Sequence, residues 1–185
     1  MNLPNRISTV RLILIPVFIA VFYIQFQYHY LVAAAVFAVA AFTDFLDGYI
    51  ARKYNLVTDL GKFLDSSADK VLVLSSLFLL IDAGVLPKIW GAICAAVIIA
   101  REIMISCLRM IAAAKGVVMA ADKLGKVKTV LQDVSIVIMI VAFGLFGAEY
   151  TGALYLVGEV LFALSVVMTV VSGVNYLIVN KHVLR

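Results

Sequence analysis

Apolar runs long enough to cross a lipid bilayer recur along this whole chain. Crossing the hydrocarbon takes about 20 mostly apolar residues. Inside it every backbone polar group must be paired within the segment, so a run of that length is a helix. The runs lie at roughly 8–28, 31–52, 61–81, 87–113, 126–146 and 152–178. Polar or turn-rich stretches separate them: Gln25 to Tyr30, Lys53 to Thr58, Asp82 to Pro87, Lys115 to Lys123, and Gly147 to Gly152. Composition agrees, with 65% hydrophobic and 14% charged residues over 185 positions. Soluble domains average about 45–50% and about 25%. The expected fold is therefore all-α: a polytopic membrane protein with six transmembrane helices in a single domain, 1–185. A short interfacial segment, Met1 to Ser8, precedes the first helix; Pro4 and Asn5 break its regularity, and Leu3 and Ile7 can dip into headgroups.

An even number of spans puts both termini on one side. Every basic residue except Lys88 then falls on that side, from Arg6 to Arg185. The positive-inside rule makes that face cytoplasmic, and an inner (cytoplasmic) cell membrane is the expected location. Tyr23, Tyr28, Tyr30, Trp90, Tyr150 and Tyr155 cluster toward the other interface, as an aromatic belt does. The net charge of +4 is interleaved with membrane spans, which points to lipid headgroups and away from nucleic acid. The first apolar run lacks a small-residue cleavage site and reads as a retained span. Cys94 and Cys107 have neither metal-ligand spacing nor a disulfide framework and read as small core residues.

Ionisable groups inside a membrane are costly and usually mark function. Asp44 and Asp47 stand three apart near the cytoplasmic end of the second span. Asp65 and Asp69 stand four apart near the start of the third. Each spacing puts a pair on one helix face. A short loop joins the two helices, so they should be antiparallel neighbours with the carboxylates converging in one pocket. Four such carboxylates repel, and bound cations remove that cost. Oxygen ligands of this kind suit Mg²⁺ or Mn²⁺, and two ions would clamp a phosphate between them. Simple ion pairing with Arg52, Lys62 and Lys70 would account for one or two of these acids, not for all. Gly48, following Asp47, and Ala51 leave a notch where a nucleotide could lie, and Arg52 beside it has a fork suited to a diphosphate.

Read as a string, the region is Asp44-x2-Asp47-Gly48-x2-Ala51-Arg52-x8-Gly61-x3-Asp65-x3-Asp69. It resembles the signature of the CDP-alcohol phosphotransferase family. Chance produces eight such residues at fixed gaps on the order of 10⁻¹⁰ times per start point. The resemblance implies six spans with cytoplasmic termini, a homodimer and a two-metal site. It implies that Asp44, Asp47 and Asp65 hold two divalent ions, and that Asp69 is the catalytic base and also touches a metal. Gly48, Arg52, Thr58 and Gly61 match donor-binding positions, and Asn5, Ser8 and Arg11 resemble a pattern that helps bind the cytidine. Ser66 stands where many relatives carry Pro.

The acceptor must be read from the second half. Arg101, Arg109, Lys126 and Lys128 can converge as an anion pocket for an acceptor bearing its own phosphate. Ala100-Arg101-Glu102-Ile103, Leu108-Arg109 and Leu124-Gly125-Lys126-Val127-Lys128-Thr129 resemble the bacterial branch that joins glycerol 3-phosphate to CDP-diacylglycerol, giving phosphatidylglycerophosphate and CMP. Arg101 and Glu102 also read as a buried structural pair. Other acceptors within the family are inositol phosphate, serine and phosphatidylglycerol. A divalent-cation transporter is the reading from a different class; the acids at one membrane end and the lack of an inverted repeat count against it. Asp133 and Glu159 have no role in the signature.

Overall fold

A computed structural model describes residues 3–53, 59–117, 119, 123–147 and 152–181, without the side chains of 3–6, 45–53, 59–60, 62, 65 and 123. It contains six helices: α1 (Leu3–Tyr23), α2 (His29–Lys53), α3 (Asp59–Asp82), α4 (Lys88–Ala114), α5 (Lys123–Phe146) and α6 (Ala153–Val179). Among the described residues there is no strand. Three helices are long and apolar enough to cross a membrane: α4, α5 from Leu124, and α6. Shorter apolar stretches, Ile7–Tyr23 and His29–Asp44, lie within α1 and α2. The chain is an all-α membrane protein.

The segment expected before the first span is not a separate element, because α1 begins at Leu3 and runs on without a break. Pro4 is tolerated there because first-turn amides have no helical acceptor to lose. The same helix stops at Tyr23, short of the expected Tyr28, whose φ of 67° turns the chain toward α2. Gly147 closes α5 at φ 80°, a conformation that suits a residue without a side chain, and its N–H reaches the Phe143 carbonyl at 2.9 Å.

Paired ends fix the polarity of the bundle. At one end, Tyr23 donates to Asp82 at 2.8 Å, joining the ends of α1 and α3. Near it the Tyr155 hydroxyl donates to the Val85 carbonyl at 2.6 Å, and the Tyr30 ring meets Phe143 at 4.6 Å. Tyr150 lies outside the described residues. The arginines and carboxylates of interest gather at the other end. Packing is most extensive between α5 and α6, then between α1 and α2. One expectation needs correction. The second and third helices are antiparallel, but they meet only lightly among the described residues, and α1 packs against both far more. Its buried aromatic face explains this: Phe18 and Phe22 belong to the main core, with Phe18 against Phe37 of α2 at 5.6 Å.

Candidate active site

The site begins with two carboxylates brought from different helices. Asp44 of α2 and Asp69 of α3 line one cavity of about 200 Å³, together with Ser66, Lys70, Arg101, Glu102 and Arg109. Backbone periodicity keeps Asp47 on the helix face of Asp44, and Asp65 on that of Asp69. The side chains of Asp47, Asp65, Arg52 and Asn5 and the surroundings of Gly48 lie outside the described set, as does all of Thr58. Gly61 sits in the first turns of α3.

Arg11 is the least expected member. Its side chain is 0% exposed, and its Nη1 lies 2.6 Å from Asp44 Oδ1. Its Nε donates to Thr43 Oγ1 at 3.5 Å. Ser8 is buried one turn earlier on α1. A guanidinium with no water around it requires a carboxylate partner, so Arg11 ties α1 to the acidic end of α2. Lys70 takes a different partner from the aspartates suggested by its charge. Its Nζ donates to the Ser66 carbonyl at 2.8 Å and to Ser66 Oγ at 2.7 Å. Ser66 thus anchors a cation at the rim.

The opposite wall is basic and comes from α4. Glu102 Oε1 accepts from Arg101 Nη1 at 2.9 Å and from Lys128 Nζ at 2.8 Å, linking α4 to α5. Arg101 Nη2 donates to Ser172 Oγ at 3.0 Å. Arg109 Nε donates to the Tyr176 hydroxyl at 3.1 Å, with the guanidinium carbon 5.5 Å from the centre of that ring. The cavity therefore brings carboxylates of α2, α3 and α4 together with the guanidiniums of Arg101 and Arg109. Such an arrangement can hold a phosphate against cations while keeping a base within reach of a hydroxyl.

The expected basic set is only partly brought together. Arg101 and Arg109 line this cavity. Lys128 is buried and lines a second, mostly apolar cavity of about 60 Å³ with Val73, Leu74, Ile98, Ile99 and Ile103. Asp69, Lys70 and Glu102 border both cavities. Lys126 is exposed and lines neither. Replacing Arg109 with Ala should raise the apparent KM for a phosphorylated acceptor roughly tenfold to a hundredfold, the equivalent of a charge-assisted contact. Initial-rate kinetics with varied acceptor checks this; an unchanged KM would take Arg109 out of the anion site.

Sequence reasoning missed several groups. Gln132 is 0% exposed, and among the described residues neither its Oε1 nor its Nε2 has a hydrogen-bond partner. Asp133 lies close enough to feel the charges of Asp69, Lys128 and Arg11. On α6, Ser165, Thr169, Ser172 and Tyr176 are all buried, at helical spacing along one face. The signal was present in the apolar runs: Lys128, Gln132 and Ser135 on α5, and this stripe on α6, are polar residues repeating every three or four positions. No role for Glu159 emerges from the structure.

A cavity that brings aspartates from two helices together with arginines from a third fits group transfer between phosphates. The chain belongs to the CDP-alcohol phosphatidyltransferase family, whose model matches residues 1–171. It is an enzyme of that class, which sets aside the cation transporter. It is similar to a Rickettsia felis protein, 38% identical over 177 residues covering 95% of this chain and 93% of that one. A Bacillus subtilis protein is 37% identical over 196 residues, covering 100% of this chain and 97% of its own. A Salmonella typhimurium protein is 38% identical over 178 residues, covering 95% and 93%. All three bear the name CDP-diacylglycerol–glycerol-3-phosphate 3-phosphatidyltransferase.

Proposed function

We propose that this enzyme transfers the phosphatidyl group of CDP-diacylglycerol to sn-glycerol 3-phosphate, releasing CMP. The observation that carries the reading is the single cavity joining Asp44 and Asp69 to Arg101 and Arg109. The names of the similar proteins support the same donor and acceptor.

The acceptor's phosphate lies toward Arg109, with Arg101 adding charge from behind. Its primary hydroxyl then faces Asp69. The oxygen attacks the lipid-side phosphorus of the donor, Asp69 takes the proton, and the bond to CMP breaks. Asn5, Ser8, Gly48, Arg52, Thr58 and Gly61 hold the CDP portion. Arg11, tied to Asp44, acts on the nucleotide side by fixing that carboxylate. The oxygen-rich donor set fits divalent metal: Asp44 and Asp69 share a cavity, and Asp47 and Asp65 lie on the same helix faces. Asp44, Asp47, Asp65 and Asp69 would hold two Mg²⁺ or Mn²⁺ ions, which when bound neutralise the phosphate oxygens and the departing CMP.

All six helices span an inner, cytoplasmic membrane in this reading, with both termini and the cavity on the cytoplasmic face. The basic residues of that end support this orientation. The working form is a homodimer embedded in membrane lipid.

The test is purified protein with Mg²⁺ or Mn²⁺ and CDP-diacylglycerol, offered glycerol 3-phosphate, inositol phosphate, serine and phosphatidylglycerol in turn. CMP release with glycerol 3-phosphate alone is expected. Release with another acceptor and none with glycerol 3-phosphate overturns the assignment. Removing divalent metal with a chelator should stop the reaction, and re-adding metal should restore it; an indifferent enzyme would sink the metal account.

A further inference from the structure

The two arginines of the basic wall are held differently. Arg101 has both terminal nitrogens engaged, Nη1 by Glu102 and Nη2 by Ser172, and among the described residues its buried Nε has no partner. Its stem lies in the space left by Gly173, where an added Cβ would come within 3.1 Å of Arg101 Cγ. Arg101 is therefore fixed as a charge, with both terminal nitrogens already committed to protein partners. Arg109 is the reverse. Its inner nitrogen, Nε, is bound by Tyr176, and the ring of the same residue stacks under the guanidinium. Among the described residues, Nη1 and Nη2 of Arg109 have no partner, and the residue is exposed at the cavity wall. Those two nitrogens form the end-on edge of the fork, the geometry that grips two phosphate oxygens at once.

What aims this edge is α6. Tyr176 is 3% exposed, so its ring and hydroxyl are themselves fixed by packing against Ile105, Leu108 and Ala112 of α4. An arginine side chain in water samples many rotamers, and stacking on a fixed ring removes that freedom before the ligand arrives. Tyr176 also lies beyond residue 171, the last position that the family model matches. The donor chemistry, by contrast, sits wholly within the matched part.

We propose that Tyr176 is a positioning residue for acceptor selection, presenting the terminal edge of Arg109 to the acceptor's phosphate. The inference rests on the reading above that the acceptor is phosphorylated. It acts through Arg109, and Tyr176 touches neither the reacting hydroxyl nor the donor.

Tyr176→Phe keeps the ring and deletes the hydroxyl. The KM for glycerol 3-phosphate should rise about fivefold, the equivalent of one ordinary hydrogen bond. The KM for CDP-diacylglycerol and kcat should stay unchanged. Tyr176→Leu, which removes the ring as well, should raise the acceptor KM further; a detergent melting curve identifies that variant if it fails to fold, and the Phe variant then decides alone. An unchanged acceptor KM in Tyr176→Phe, or equal rises in both KM values, overturns the proposal. The wild-type acceptor panel separates this from failure of the function assignment. If the enzyme prefers another phosphorylated alcohol, the same KM split is read on that alcohol and decides the proposal. If it prefers an alcohol without phosphate, both the assignment and the role of Tyr176 fall.

Discussion

Asp69→Asn should fold like the wild type and lose nearly all turnover. Asn has almost the same shape as Asp, so packing on α3 is preserved, but it cannot take up a proton. Loss of a positioned general base costs roughly 10²–10⁴-fold in rate. The lost carboxylate would also weaken the hold on divalent metal, deepening the effect. Detergent melting curves and CMP release, measured side by side, separate folding from chemistry. A variant that folds and still turns over at the wild-type rate would remove Asp69 as the base.

Asp44→Ala should damage stability as well as activity. The change takes the carboxylate from Arg11, whose side chain is 0% exposed while that of Asp44 is 39% exposed. Breaking a buried ion pair by removing one partner typically costs about 3–5 kcal/mol. The partial exposure of Asp44 places this case toward the lower end, near ~3 kcal/mol. The informative comparison is the double variant Asp44→Ala with Arg11→Met. An apolar stem of similar length in place of the guanidinium should recover most of the stability and none of the activity, because the metal-holding oxygens are still missing. Recovered turnover in the double variant would show that Asp44 serves only to neutralise Arg11.

The helices, and the meeting of Asp44 with Asp69, were legible because membrane physics leaves few choices. An apolar run of that length can only be a helix, and carboxylates inside one are too costly to be incidental. Asp44 and Asp69 duly share a cavity. The neighbours of those residues were less legible. Helical spacing says which face a residue occupies and nothing about which helix faces it. Hence the intimacy expected of α2 and α3 belongs instead to α1, and Arg11 emerged as a partner of Asp44. The basic half was harder still. Lys126 and Lys128 are two apart, and on a helix that separation sends them to different faces. One is buried on Glu102 and the other is exposed. Charge alone had grouped them. The supports supplied by Ser172 and Tyr176 lie about seventy residues from the arginines they hold, and no local pattern links them.

Asp69, Lys70 and Glu102 form a wall with polar space on one side and apolar space on the other. In the proposed reading, a carboxylate in that wall works where water and bilayer lipid meet. A partner arriving through the polar side is counted by its concentration in water. A partner arriving through the apolar side is counted by its mole fraction in the plane of the bilayer. On that reading the enzyme's saturation has two independent axes, and inert lipid or detergent should act as a diluent along one of them alone.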